Sequence, residues 1–131
     1  MIRFNRSQRK ELTRYLYSSY VHDARVDDIV FNPNNSQLNI SIENPFYKSV
    51  YCFSFLNVKA VLFANNHHFS GSDTINSITI EDDSTLSASS VRIVDDQCEQ
   101  YLYLLLQMIS GDEIHIMCGE LFIEEERTAD E

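Results

Sequence analysis

No apolar run in this 131-residue chain approaches the ~20 residues that a membrane-spanning helix requires. The basic residues Arg3 and Arg6 are followed by no apolar block, which predicts no secretory signal. Tryptophan is absent, so the aromatic content rests on seven tyrosines and eight phenylalanines. Cysteine is scarce and odd in number, with Cys52, Cys98 and Cys118 set at no framework spacing. Such thiols suit a reducing cytoplasm, where a buried cysteine acts as a small hydrophobe. Basic residues are concentrated at the start. The first 25 residues hold six of them and two acids, whereas the remainder holds four basic and eighteen acidic residues. The net charge is −10. A body this acidic repels nucleic-acid backbones and attracts basic partners. Acidity also maintains solubility whatever the partner. The basic N-terminal segment has a second possible destination, the protein's own acidic body.

What is present is a β pattern. At 44% apolar and 23% charged the composition is globular, and the length suits one domain with one core. The densest apolar stretch is a hairpin. Residues 101–108 place Leu102, Leu104, Leu106 and Met108 on one parity and Tyr101, Tyr103, Leu105 and Gln107 on the other. A strand sends alternate side chains to opposite faces. Residues 113–123 repeat the pattern with Ile114, Ile116 and Cys118 against Glu113, His115 and Met117. Between them, Ser110-Gly111-Asp112 supplies the positive-φ position of a tight reversal. Leu121 and Ile123 shift parity, which predicts a bulge or break near Gly119. The acidic tail, residues 124–131, has nothing to bury and is expected to fray.

Ahead of the sheet, residues 1–22 read as a helical segment, with the helix over 5–20. Leu12, Tyr15, Leu16 and Tyr20 share one face, and Asn5 with Gln8 resembles a capping pair. A strand follows over 25–31, its uneven alternation suggesting a bulge, and then an Asn-rich turn over 32–36. Leu38, Ile40 and Ile42 alternate with polar residues in the cleanest half-buried strand. Residues 48–57 are apolar on both parities, which predicts a central strand. Residues 58–64 either continue it or form a separate strand after a kink. Residues 65–73 read as a polar loop, 75–80 as a strand, 81–84 as a loop and 89–94 as a strand. The predicted fold is mainly β (α+β): an antiparallel sandwich or partly open barrel of about eight strands with one N-terminal helix.

Candidate chemistry is sparse. His22-Asp23 has the look of a metal phosphohydrolase pair, but that chemistry needs further His and Asp on neighbouring helices. His67-His68, with Asp73, has metal-ligand residue types, although adjacent residues on an extended chain point apart. His115 with Cys118 or Cys98 has the residues of a thiol site but no third orienting group. Asp82 and Asp83, like Asp95 and Asp96, lack the spacing and glycine of a calcium loop. The expectation is therefore no catalytic residue, no cofactor and no metal. Tyr101, Tyr103, His115, Asp82 and Asp83 are the candidate partner or ligand contacts, tyrosine because it buries a ring while keeping a polar handle.

Three stretches together carry a resemblance. They are His22-Asp23-Ala24 with its following strand, Asn-rich turn and Leu38-x-Ile40-x-Ile42; Phe55-x-Asn57-Val58; and Ser110-Gly111-x-Glu113-Ile114-His115-Ile116-x-Cys118. The arrangement, over most of residues 20–123, resembles small uncharacterised β-rich domains of Gram-positive bacteria, some of which look like immunity proteins of toxin systems. The resemblance implies a bacterial cytoplasmic protein that binds a toxin, and it carries over no catalytic residue. The expected function is thus a non-enzymatic protein-binding module with a basic protein as partner, and with neither nucleic acid nor membrane. The alternatives are a small-molecule carrier with an apolar barrel cavity lined by Tyr101, Tyr103 and Phe53, and an enzyme of unknown reaction.

Overall fold

The two-residue periodicity from Val26 onward becomes antiparallel sheet. The structure, a computed structural model, describes residues 2–19, 21–64, 74–81, 85–88, 91–94 and 101–127. The described strands are β1 (Ile2–Asn5), β2 (Arg25–Asn32), β3 (Gln37–Asn44), β4 (Ser49–Ala64), β5 (Ile75–Glu81), β6 (Thr85–Ala88), β7 (Val91–Val94), β8 (Leu102–Met108) and β9 (Glu113–Arg127). A 3-10 turn (Arg6–Gln8) runs into helix α1 (Arg9–Ser18). Seven strands form one sheet in the order β2-β3-β4-β9-β8-β5, with β1 pairing β9 beyond the end of β8. The hairpin β6-β7 stands as a separate small sheet.

The large sheet is open but strongly curved. Its two edges touch at one place, where Arg25 bridges Thr74, Asp23 N–H donates to the Ile75 carbonyl (3.0 Å) and Ile75 N–H donates to the Ala24 carbonyl (2.8 Å). Elsewhere it does not close into a barrel. The concave face holds the core. Leu38, Ile40 and Ile42 of β3, Tyr51, Phe53 and Phe55 of β4, and Leu102, Leu104 and Leu106 of β8 are all essentially inaccessible. The three β4 rings meet edgewise or tilted, with centroids 6.3 Å (Tyr51–Phe53) and 6.2 Å (Phe53–Phe55) apart. Each such side chain contributes on the order of 1.5–3 kcal/mol by leaving water. Helix α1 adds Leu12 and Leu16 to the same core.

Local signals behave as their chemistry requires. Ser7 N–H donates to Asn5 Oδ1 (3.0 Å) and Asn5 N–H to Gln8 Oε1 (3.1 Å), so the expected cap forms. Gly111 takes φ 95° in the β8–β9 turn, and its N–H donates to the Met108 carbonyl (3.0 Å). The suspected bulge in β2 lies between Val26 and Asp28. Strand β4 is central, between β3 and β9, and runs unbroken to Ala64. Its kink falls at Asn57, which has φ 52°, and a register shift follows between Val58 and Ala60. Opposite Asn57, Gly119 leaves room for the Asn57 side chain. Both strands change apolar parity there together, which is how Cys118 and Leu121 both reach the core.

Two expectations are corrected. The N-terminal segment is not helical throughout: Ile2–Asn5 is a strand, because Phe4 buries against the core while β9 offers a free edge at 120–123. The tail does not fray from Glu124, since β9 continues to Arg127 against Ser49, Val50, Tyr51 and Cys52. The hairpin partner β6 was not expected, for Thr85-Leu86-Ser87-Ala88 is only four residues with one large apolar side chain, too short for its alternation to mark a strand. Tyr20, the 65–73 loop with His67, His68 and Asp73, and the residues Asp82, Asp83, Asp95, Asp96 and Cys98 lie outside the described residues. No described helix is long and apolar enough to cross a membrane.

Candidate functional site: the convex face of the sheet

The convex face has two halves. The first belongs to the β8–β9 hairpin and brings together three expected site residues. Tyr101, Tyr103, Leu105 and Gln107 share a parity with Glu113, His115 and Met117 across the register Tyr103↔Met117, Leu105↔His115 and Gln107↔Glu113. Strand β6 lies against β4 and β9, and Tyr103 and Met117 form a second buried cluster with Ala60 and Tyr101 against them. Tyr103 is fully buried and presents no surface to a partner, which corrects its expected role. The Arg6 guanidinium stands 5.4 Å from its ring centroid and donates to the Tyr101 carbonyl (2.9 Å), while Lys59 Nζ stands 5.5 Å from the Tyr101 ring. The two rings are thus engaged by the protein's own cations.

A polar line crosses this half. Ser77 Oγ donates to Gln107 Oε1 (3.0 Å), and Gln107 Nε2 donates to Glu113 Oε2 (3.4 Å). Glu113 Oε1 lies 3.8 Å from His115 Nε2, too far for a hydrogen bond. His115 is 6% exposed, and its Nε2 has no hydrogen-bond partner among the described residues. A thiol–imidazole site does not form with Cys118, whose side chain is on the opposite, concave parity. Burial, and then the charge of Glu120, push the Cys118 thiol up to about 12, which holds it protonated and unreactive. His22 Nδ1 meets Asp23 Oδ2 at 3.1 Å in an exposed pair, and no group of three or more His, Cys, Asp or Glu that could hold a metal occurs among the described residues. Phe53 lies on the concave face and Tyr101 and Tyr103 on the convex one, so the three line no common cavity.

The second half of the convex face is acidic. Its rows follow the register Glu43↔Val50↔Glu126 and Asp28↔Ser41↔Cys52↔Glu124, with Leu56↔Glu120 beyond them. Val50 is exposed and Cys52 half-buried at the centre. Glu43 meets Arg25 at 3.7 Å and Glu120 meets Arg3 at 3.4 Å, while Asp28, Glu124 and Glu126 make no ion pair among the described residues. The basic N-terminal segment therefore meets this half through Arg25 at Glu43 and through Arg3 at the Glu120 end, where the Arg3 guanidinium also lies 4.5 Å from the Phe122 ring centroid. At the other end stands the β3–β4 turn. The Asn44 side chain, itself buried, accepts from Phe46 N–H (3.0 Å) and Tyr47 N–H (3.4 Å), and Lys48 takes φ 52°. This turn holds Phe46 83% exposed and Tyr47 58% exposed. Two large aromatics exposed side by side suit a contact surface, although Tyr17 of α1 stands more exposed than either.

Sequence reasoning missed this half. Glu124 and Glu126 looked like a tail, although they extend the two-residue alternation of Leu121 and Ile123. Phe46 and Tyr47 sit after Asn44-Pro45, where a turn prevents either ring from following a strand face inward. Glu125 is distinct from its neighbours: it has the concave parity, and Tyr15 Oη (3.0 Å) and Tyr51 Oη (3.4 Å) donate to its carboxylate.

No family model and no curated protein matches the chain. Among solved structures, it is similar to an uncharacterised protein from Neisseria gonorrhoeae, with 16% sequence identity and a TM-score of 0.49, over 82% of this chain and 93% of that one.

Proposed function

We propose that this chain is a non-enzymatic protein-binding module that holds a basic partner protein on the acidic half of its convex face. The observation that carries the reading is the pair of exposed rings, Phe46 and Tyr47, standing at the end of a surface formed by Glu43, Glu124, Glu126 and Asp28. Carboxylates around a small apolar centre steer a basic protein to the face, and aromatic side chains secure it once water is displaced. The sequence resemblance supports a narrower version, in which the module is a bacterial immunity protein in the cytoplasm and the basic partner is a toxin it neutralises.

The test is capture from lysate of the source cell, at low and high salt. Wild type should retain a basic protein at low salt and lose most of it at high salt. The double variant Glu124→Lys/Glu126→Lys and the single variant Phe46→Ala should each lose it while keeping the wild-type melting temperature. Retention of an acidic partner, held equally well at both salt concentrations, sinks the proposal.

A further inference from the structure

Strand β2 is the edge of the large sheet, and its one strand partner within that sheet is β3. The first part of this edge is closed off by the contact of Arg25 with Thr74 and by the bulge at Asp27. Beyond the bulge, residues 28–32 have no second strand partner among the described residues. That leaves a straight edge ~17 Å long, at ~3.4 Å per residue. Exposed edges are usually blunted by charge, proline or a bulge. Here the devices sit only at the two ends, as Asp27, Asp28 and Pro33, and the middle is apolar: Ile29 is 37%, Val30 50% and Phe31 49% exposed.

The two sides of this edge differ in chemistry. Ile29 and Phe31 have the concave parity, and with Leu38, Val58, Val61 and Phe63 they line an open groove of about 490 Å³, apolar except for Lys59. Asp28 and Val30 have the convex parity, at the margin of the acidic half-face. A segment laid along residues 28–32 therefore meets the groove with every second side chain and Asp28, Val30 and Asn32 with the others, Asp28 being the one carboxylate among them.

We propose that an extended segment of the partner adds to β2 as a further strand, its apolar side chains entering the groove and its alternate lysine or arginine side chains lying beside Asp28. This rests on the basic-partner reading and names how that partner is held. Charge selects the occupant. A second copy of this chain would bring another body of net charge −10 and another acidic face alongside the first, whereas a basic strand neutralises the edge it joins. Backbone hydrogen bonds supply attachment and the alternation supplies specificity.

The probe is a synthetic seven-residue peptide alternating valine and lysine, followed by backbone amide NMR and hydrogen exchange on the whole chain. Slowed exchange confined to residues 28–32 is the expected result. The same peptide with glutamate for lysine, with its valines and lysines in separate blocks, or N-methylated along one edge should not produce it. Asp28→Lys should weaken binding by about fivefold, the upper range for one exposed charge pair, with an unchanged melting temperature. Three outcomes overturn the proposal: equal binding of the block peptide, shifts at Glu43, Glu124 and Glu126 with residues 28–32 unmoved, or protection of 28–32 by self-association without peptide. In each of these, capture of a basic protein that remains sensitive to Glu124→Lys/Glu126→Lys leaves the acidic-face reading standing.

Discussion

The pairing of Asn57 with Gly119 is open to a sharp thermodynamic test. Asn57 holds a left-handed backbone, φ 52°, at the kink of β4. Gly119 lies across from it in β9, with a backbone outside the left-handed region. The absent side chain, not conformational freedom, is what the position needs. A Cβ at 119 would lie 3.1 Å from Asn57 Cβ and 3.3 Å from its Nδ2. Carbon atoms prefer ~3.5–4.0 Å, and Asn57 Cβ cannot rotate away because it is fixed to the backbone. Gly119→Ala should therefore cost about 1–3 kcal/mol, the usual range for one overpacked group. Asn57→Gly removes the obstructing Cβ, and glycine accepts φ 52° without strain, so this variant alone should fall within about 1 kcal/mol of wild type. In the Asn57→Gly background, Gly119→Ala should cost less than ~0.5 kcal/mol, or stabilise slightly by restricting the unfolded chain. The coupling across the cycle is then about 0.5–3 kcal/mol. Urea unfolding of all four proteins measures it, provided the m-value stays constant. If Gly119→Ala costs the same in both backgrounds, the Asn57 side chain is not what holds position 119 to glycine.

Other expectations follow from the same contacts. Leu12→Ala should destabilise by about 2–5 kcal/mol in denaturant unfolding, because α1 is part of the core and not a surface ornament; a cost below ~0.5 kcal/mol, within the surface-substitution range, would detach the helix from it. In a Cys52→Ser/Cys98→Ser protein, the remaining thiol at Cys118 should resist a thiol reagent at pH 8 until urea unfolds the chain, and prompt native labelling would contradict its burial. Stability should fall as pH rises from 9 toward 12. Burial raises the pKa of Cys118, and burial together with the bond to Glu125 raises that of Tyr15, so the native state favours both neutral forms. The unfolded chain, with ordinary values of 9.0 and 10.0, releases these protons first. Melting temperatures across that window, with a shallower decline in Tyr15→Phe, check the sign.

The sheet was largely legible because alternation is a local property. Gln37–Asn44 alternates strictly between half-buried and buried positions, and the β8–β9 turn follows from Gly111. The bulge in β2 and the parity change near Gly119 were visible as flaws in that alternation. Strand β1 was not legible, because four residues acquire strand structure only from the vacant edge of β9 beside which they fall. The candidate site was half legible. Tyr101 and Tyr103 were placed on one face by parity, but that His115 joins them follows only from strand register, and whether a convex residue meets solvent depends on what lies over it, as the enclosure of Tyr103 beside Met117 shows.

By itself the chain's order of residues determined a mainly antiparallel β architecture, an apolar sheet face, a capped helical turn leading into a helix and an acidic body, since period, turn chemistry and charge are all carried by neighbours in sequence. Tertiary structure alone decided that Glu43, Glu124, Glu126 and Asp28 share one surface, that Phe46 and Tyr47 stand exposed in the turn that follows Glu43, that Tyr103 is enclosed, and that residues 28–32 have no second strand partner among the described residues. Those are relations between strands far apart in the chain. They are fixed by register and by which edge finds a partner, and no local pattern contains either.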